Sequence, residues 1–146
     1  MQVDFYQLSR DPVERVVPLL AAKALAAGTR VVIVSGDPAQ RSTLSDALWA
    51  REGEFLAHGE TGAPYAERQP IVLAADCAAA NGAAMAIVAD GEWRAEAVAA
   101  GFERAILLFG PDQRDDARRQ WSALAGGGHD LRIFKQSEGG GWREGR

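Results

Sequence analysis

Short apolar runs alternate with amphipathic stretches along this chain, which is the pattern of strands and helices that follow one another. Runs rich in β-branched, apolar or aromatic residues are predicted as strands, and they are Val3–Leu8, Arg30–Ser35, Phe55–Leu56, Ile71–Ala74, Ala83–Ala89, Arg104–Phe109 and His129–Gln136. Helices are predicted between them: one from Pro12 that ends at Gly28, one from Pro38 that carries Trp49, then Glu92–Ala100 and Pro111–Ala125. Because strands alternate with helices, we expect a single α/β domain with a Rossmann-like, mostly parallel sheet and helices on both faces.

Two Asp-Pro pairs mark the expected starts of the first two helices. Asp11 and Asp37 are predicted N-caps, because an Asp side chain accepts a hydrogen bond from a free amide at the helix start. The proline that follows each of them suits the first helical position. Pro18 is expected to kink the first helix, unless the regular part of that helix begins later than Pro12.

Trp49 lies away from the apolar side of its predicted helix. Leu44, Ala47 and Leu48 form that apolar side, and Trp49 falls roughly 150° from its centre at about 100° per residue. A tryptophan in that position packs under a neighbouring element or contacts a partner, and the pattern leaves both interpretations open. Phe55 follows after a short polar break, so the two aromatic side chains could form a docking patch.

The composition is that of an ordinary globular protein. The 146 residues suffice for one domain with a buried core, and no apolar run approaches the roughly 20 residues of a membrane span. The N-terminus lacks the pattern of a signal peptide. The one cysteine excludes an intrachain disulfide, so we expect a cytoplasmic protein. One Cys and two His also argue against a zinc site made by this chain alone.

The net charge of −4 is unevenly distributed. Residues 1–113 hold 9 basic and 15 acidic groups, whereas residues 114–146 hold 7 basic and 5 acidic groups. A largely acidic body is unsuited to tight binding of DNA phosphates, and an acidic ligand is better accommodated by the C-terminal third. Residues 137–146 are rich in Gly and charge, so we expect them to form a loosely held tail behind a domain of residues 1–136.

No catalytic or cofactor motif accompanies the predicted fold. A dinucleotide site needs a glycine-rich turn after a strand, but the first predicted strand is followed by SRDPVE and the second by SGDPAQR. A Ser-His-Asp triad would have to use His58 or His129, and no GxSxG motif accompanies them. Cys77 is expected to be a small packed side chain. We therefore predict no catalytic, metal or cofactor site, and a small nucleotide- or cofactor-binding enzyme remains the alternative hypothesis.

The last predicted helix combines arginines with a tryptophan. Arg114, Arg118 and Trp121 are spaced so that they can share one helix face. Such a face suits a ligand with a carboxylate beside an aromatic or apolar group, because the guanidinium forks onto the carboxylate while the indole covers the ring. The other interpretation is that Trp121 joins Ala117 and Leu124 as core and the arginines are merely solvated.

Several segments, taken in order and spacing, resemble the chi subunit of bacterial DNA polymerase III holoenzyme. They are Asp4–Leu8 (DFYQL), Leu44–Trp49 (LSDALW), Phe55–His58 (FLAH), Gln69–Ile71 (QPI), Arg118–Trp121 (RRQW) and Gly141–Trp142. The resemblance spans nearly the whole chain. It implies a non-catalytic accessory subunit of the clamp-loader assembly, with no direct tight binding of DNA.

The resemblance also implies two partners on separate surfaces. Trp49 and Phe55 match the side that faces psi, a small helical subunit that tethers chi to the clamp loader. Arg118 and Trp121 match the side that binds the acidic, Phe-ended C-terminal tail of single-stranded DNA-binding protein. This tail would be bound by charge and by burial of its ring.

The tail-binding positions depart from the family pattern at Ser122. Many members of the family carry a Lys there, so the resemblance leaves the basic pocket one charge short. Arg114, Arg119 or Lys135 could supply the missing charge. Ala57 replaces a frequent proline before His58, and we treat that change as neutral.

Overall fold

A computed structural model describes residues 1–51, 53, 56–78 and 81–145 of the chain. This part of the chain folds into one sheet with helices on both faces. The strands in this part are β1 (Gln2–Gln7), β2 (Val31–Val34), β3 (His58–Glu60), β4 (Ile71–Ala74), β5 (Met85–Val88), β6 (Arg104–Phe109), β7 (Asp130–Gln136) and β8 (Trp142–Gly145). Its α-helices are α1 (Val13–Ala26), α2 (Pro38–Trp49), α3 (Glu96–Ala99) and α4 (Arg114–Leu124). Single 3-10 turns lie at Ala66–Arg68 and Pro111–Gln113.

The strands are arranged in the order β3-β4-β2-β5-β6-β1-β7-β8. Every neighbouring pair is parallel except β7 and β8, which run antiparallel. β2, β4 and β5 are buried along their whole length, as expected for strands that are covered on both faces. The predicted α/β class with a mostly parallel sheet is therefore confirmed.

Two hydrophobic cores lie on opposite faces of the sheet. α1 and α2 cover the first, where Leu44 and Leu48 of α2 are fully buried. α4 covers the second, through Ala117 and its neighbours. β1 serves both cores because its side chains alternate: Tyr6 points to the first core and Phe5 to the second. In α2, Ala47 is only partly buried, although it was predicted as core.

The predicted N-cap is wrong at one helix and confirmed at the other. Asp11 does not cap α1, whose N-cap residue is Pro12 without a side-chain cap. The Asp11 carboxylate instead accepts a hydrogen bond of 2.8 Å from the Gln136 amide at the end of β7, so a distant side chain outcompetes the helix start. Asp37 does cap α2, because its carboxylate accepts a hydrogen bond of 2.9 Å from the Ala39 amide.

The predicted boundaries fail mainly at the two edges of the sheet. The expected strand at Phe55–Leu56 is wrong at Leu56, which is buried without strand pairing, while Phe55 lies outside the described residues. Strand β3 instead lies at His58–Glu60, where no strand was predicted. β8 was not predicted, because residues 137–146 were expected to form a loose tail. It pairs with β7, so this tail contributes a strand to the same sheet.

Two helices are shorter than predicted, and one helix begins later. α3 occupies only the second half of the predicted Glu92–Ala100 segment. α4 begins at Arg114, because Pro111–Gln113 forms a 3-10 turn before it. α1 begins at Val13 and continues through Pro18.

Candidate functional site

A cavity of about 530 Å³ lies between α4 and the sheet, on the face of the second core. We call it the α4 pocket. Its lining is apolar at the bottom and basic at the rim, and it consists of Phe5, Gln7, Phe109, Arg114, Ala117, Arg118, Trp121, Ser122, Ile133 and Lys135. It therefore brings together side chains from α4, β1, β6 and β7.

Three aromatic rings build the floor and one wall of the α4 pocket. The Trp121 ring meets the Phe5 ring edge to face, with centroids 5.2 Å apart, and Phe5 meets Phe109 in the same manner at 6.3 Å. Trp121 is only partly buried, whereas Ala117 and Leu124 on the same side of α4 belong to the core. One part of the Trp121 indole thus packs on the core and another lines the cavity, so Trp121 is more than a core residue.

The rim of the α4 pocket carries three exposed cations. Arg114 and Arg118 extend from α4, and Lys135 extends from β7 on the other side of the cavity. None of the three forms an ion pair or a side-chain hydrogen bond with another described residue. Their charges are therefore available to an anion. Ser122 contributes only a short hydroxyl side chain to the lining.

Arg119 differs from the other arginines of α4. It does not line the α4 pocket, and its guanidinium pairs with the carboxylate of Asp116 one turn earlier. The structure thus brings Arg114, Arg118 and Trp121 together as the helical spacing predicted, but it separates Arg119 from them. Lys135 of β7, and not Arg119, is the third cation at the rim of the α4 pocket.

This combination of groups fits a ligand with both an apolar ring and negative charge. A pocket with an apolar floor and a few placed polar groups gives burial and orientation at once. Guanidinium groups bind carboxylates through two parallel hydrogen bonds, which fixes the ligand's direction as well as its charge. The α4 pocket is therefore a candidate binding site for a ligand of this kind.

A second candidate surface lies at the end of α2, where the Trp49 side chain is 53% exposed. Its indole packs on the imidazole of His58, with ring centroids 4.3 Å apart and planes inclined by 38°. The His58 ring is held at both nitrogens: Nδ1 donates to the Leu56 carbonyl at 2.8 Å, and Nε2 lies 2.7 Å from Ser45 Oγ. Since a carbonyl oxygen only accepts, Nδ1 carries the hydrogen, and in the neutral ring Nε2 accepts from Ser45.

We call Trp49, His58 and Ser45 the Trp49–His58 platform. The sequence did not predict the place of His58 under the indole. The available signal was that His58 belongs to FLAH, one of the segments that carry the family resemblance. Phe55, the other residue predicted to face psi, lies outside the described residues.

The two candidate surfaces lie far apart on the sheet. His58 belongs to β3 at one edge, and the α4 pocket includes β7 near the other edge. α2 packs on the first core and α4 on the second, so the surfaces also lie on opposite faces. A ligand that binds at one of these surfaces would therefore not touch the other surface.

The edge of the sheet where Rossmann-like folds bind nucleotides carries a closed polar network. The Asp90 carboxylate accepts hydrogen bonds from the Gly36 amide at 2.9 Å and from the Arg94 guanidinium at 2.7 and 2.9 Å. Burial opposes ionisation of Asp90, but hydrogen bonds from Arg94, Gly36 and Glu92 outweigh it and hold its pKa below the usual value. The Gly36 amide is thus already engaged by a carboxylate, which weakens the nucleotide-binding alternative.

The Cys77 thiol is buried in the second core. Burial raises the pKa of the Cys77 thiol to about 12, so the thiol stays protonated at neutral pH. Within the described residues, no three or more side chains of His, Cys, Asp or Glu are arranged to hold a metal ion. Nor does any helix in that part of the chain combine the length and the apolarity needed to cross a membrane.

Comparison with known proteins gives the identity of the family. The family model described as DNA polymerase III chi subunit, HolC, matches residues 1–132. The matched range includes α2 with Trp49 and α4 with Arg118, so both candidate surfaces fall within it. No curated protein matches the chain. Since the matched range covers most of the 146 residues, the chain belongs to the DNA polymerase III chi subunit family.

Proposed function

We propose that this protein is a non-catalytic accessory subunit that bridges the clamp loader, through psi, to the C-terminal tail of single-stranded DNA-binding protein during replication. The α4 pocket is the observation that carries the proposal. It joins an aromatic floor to three cations that have no partner among the described residues. An acidic peptide that ends in phenylalanine presents the complementary groups.

The terminal phenylalanine would supply two groups for recognition, an aromatic ring and a carboxylate. Its ring would pack on the floor against Phe5 and Trp121, and its carboxylate would pair with the guanidinium of Arg118. The cavity of about 530 Å³ falls within the range of roughly 300–1,000 Å³ that is usual for small-ligand sites. The acidic residues before the phenylalanine would find Arg114 and Lys135 at the rim.

The Trp49–His58 platform is the proposed surface for psi. An exposed tryptophan that is held in one orientation is a typical anchor of a protein interface, because it buries a large area at a small cost in conformational entropy. Because the platform and the α4 pocket lie on opposite faces of the sheet, psi and the acidic tail can bind at the same time. A bridging subunit requires that arrangement.

A titration with two synthetic peptides tests the tail-binding half of the proposal. One peptide is acidic and ends in phenylalanine, and the other lacks only that last residue. Burying a phenylalanine side chain is worth about 1.5–3 kcal/mol, and 1.4 kcal/mol corresponds to about tenfold in affinity. The intact peptide is therefore expected to bind at least about tenfold more tightly. Equal binding of the two peptides would remove the tail-binding function.

A pull-down with psi tests the other half. Purified protein that carries Trp49→Ala is expected to lose psi, whereas Arg118→Ala is expected to retain it. Loss of psi from both variants, with both still folded by circular dichroism, would contradict the assignment of the partners to two surfaces.

A further inference from the structure

Strand β8 places a further cation beside the α4 pocket. Arg143 of β8 lies directly opposite Lys135 of β7 in the antiparallel pair. Directly opposite residues project from the same face of a sheet, with Cβ atoms about 4.5–5.5 Å apart. Since Lys135 lines the α4 pocket, Arg143 extends from the same face, one strand further out.

The packing of neighbouring residues agrees with this assignment of faces. Gly145 also lies on that face, because a Cβ on it would meet Ile133 Cγ2 at 3.2 Å and Lys135 Cε at 3.6 Å. The alternate residue Trp142 projects from the opposite face, where its ring packs on Tyr6 with centroids 5.0 Å apart. The missing side chain at Gly145 leaves room for the Lys135 stem to lean over β8.

Lys135 and Arg143 form a like-charged pair without compensation from the described residues. Both side chains are exposed, and neither forms an ion pair or a side-chain hydrogen bond there. Glu144, the acidic residue of β8, projects from the opposite face because it follows Arg143 in the strand. Like charges directly opposite each other destabilise a sheet. A bound anion would remove this repulsion.

We propose that Lys135 and Arg143 form a second basic subsite, which binds the acidic residues that precede the terminal phenylalanine of the tail. The inference rests on the proposed function, because the ligand is the same peptide. With its ring on the floor of the α4 pocket, the peptide leaves past the rim. On the sheet side that rim is Lys135, and Arg143 is its cross-strand neighbour further out on the same face. Lys135 and Arg143 lie beyond the range 1–132 that matches the family model.

Two peptides that share the terminal phenylalanine test this subsite. The first carries its natural class of upstream residue, aspartate, and in the second every upstream Asp is replaced by Asn. Lys135→Gln and Arg143→Gln are each expected to weaken the acidic peptide by up to about fivefold, the size expected for an exposed ion pair. Neither variant is expected to change the affinity of the Asn peptide.

Arg132→Gln is the matched control variant. Arg132 lies on β7 like Lys135, but it pairs with Asp130 and projects from the opposite face. The same loss of one charge from the same strand is therefore expected to leave both affinities unchanged. Circular dichroism of all three variants verifies that the fold is retained.

The outcomes separate this inference from the proposed function. The subsite is refuted if Lys135→Gln and Arg143→Gln weaken both peptides equally, if neither weakens the acidic one, or if Arg132→Gln has the same effect. The proposed function survives each of these results as long as the unmodified protein prefers the intact peptide to the one without phenylalanine. Loss of that preference would remove the proposed function and this inference together.

Discussion

Arg118→Ala is expected to weaken binding of the acidic peptide without weakening the fold. Arg118 is exposed on α4 and forms no ion pair with any described residue. Alanine is the most favourable residue in a helix interior, and surface changes of this kind usually alter the free energy of unfolding by less than about 0.5 kcal/mol. A change in affinity can therefore be attributed to the lost guanidinium.

The size of the effect follows from the geometry of the pocket. A hydrogen bond to a charged group contributes about 1.5–3 kcal/mol, and the exposed rim places Arg118 at the low end of that range. Since 1.4 kcal/mol corresponds to about tenfold in affinity, the dissociation constant is expected to rise about tenfold. Fluorescence anisotropy with a labelled peptide at low salt measures this change.

Arg119→Ala supplies a control on the same helix. Arg119 is the next residue and carries the same charge, but it pairs with Asp116 and does not line the α4 pocket. Its substitution changes the net charge by the same amount and is expected to alter affinity less than about twofold, as is usual for an exposed pair. Equal losses in the two variants would mean that the peptide responds to the charge of α4 as a whole. An unchanged affinity for Arg118→Ala would mean that the peptide binds elsewhere.

Three further outcomes are expected. Trp49→Ala should weaken psi binding by about 2 kcal/mol or more, as for an interface anchor, and should leave peptide affinity in the same anisotropy assay unchanged. Hydrogen bonds hold the pKa of Asp90 below its usual value of about 3.9. The ionised carboxylate therefore stabilises the fold above about pH 3.9, and this stabilisation is lost as the pH falls through the lower pKa of the folded state. Asp90→Asn should flatten the decline in stability against urea below about pH 4. The Cys77 thiol, with its pKa of about 12, should react with a thiol reagent in the native protein much more slowly than in urea, and equal rates would contradict its burial.

The central part of the fold was predictable because it depends on local composition. β2 and β4 consist of apolar residues buried on both faces, and such runs indicate central strands wherever they occur. The Asp37 cap was predictable for the same reason, since its hydrogen bond joins residues two apart. The Asp11 prediction failed because the competing partner, Gln136, lies 125 residues away in the sequence.

The edges of the sheet were not predictable, since pairing and not propensity determines them. β3 is a three-residue strand that contains Gly59, and nothing in its composition indicates a strand. β8 has a similar composition of glycine and charge, yet it pairs with β7 along its whole length. Both strands form because a neighbouring strand offers free backbone groups.

In the candidate sites too, features that depend on local spacing were predictable and features that depend on distant residues were not. Helical spacing alone predicted that Arg114, Arg118 and Trp121 share a face, and they line one pocket. It could not predict that Lys135 joins them from β7. The place of His58 under Trp49 likewise depends on its hydrogen bond to Ser45, which joins β3 to α2 across 13 residues.

The distribution of charge gives a physical reason for a protein to reach DNA through another protein. Residues 1–113 hold 15 acidic and 9 basic groups, and this acidic excess is unfavourable for binding the phosphates of single-stranded DNA. Four cations without partners among the described residues, Arg114, Arg118, Lys135 and Arg143, instead lie around one cavity, on α4, β7 and β8. A field of this form attracts an acidic peptide to one place and turns its charged part toward the rim. The acidic excess of residues 1–113 disfavours DNA, so the proposed bridge would hold its proposed partner without competing for the partner's DNA.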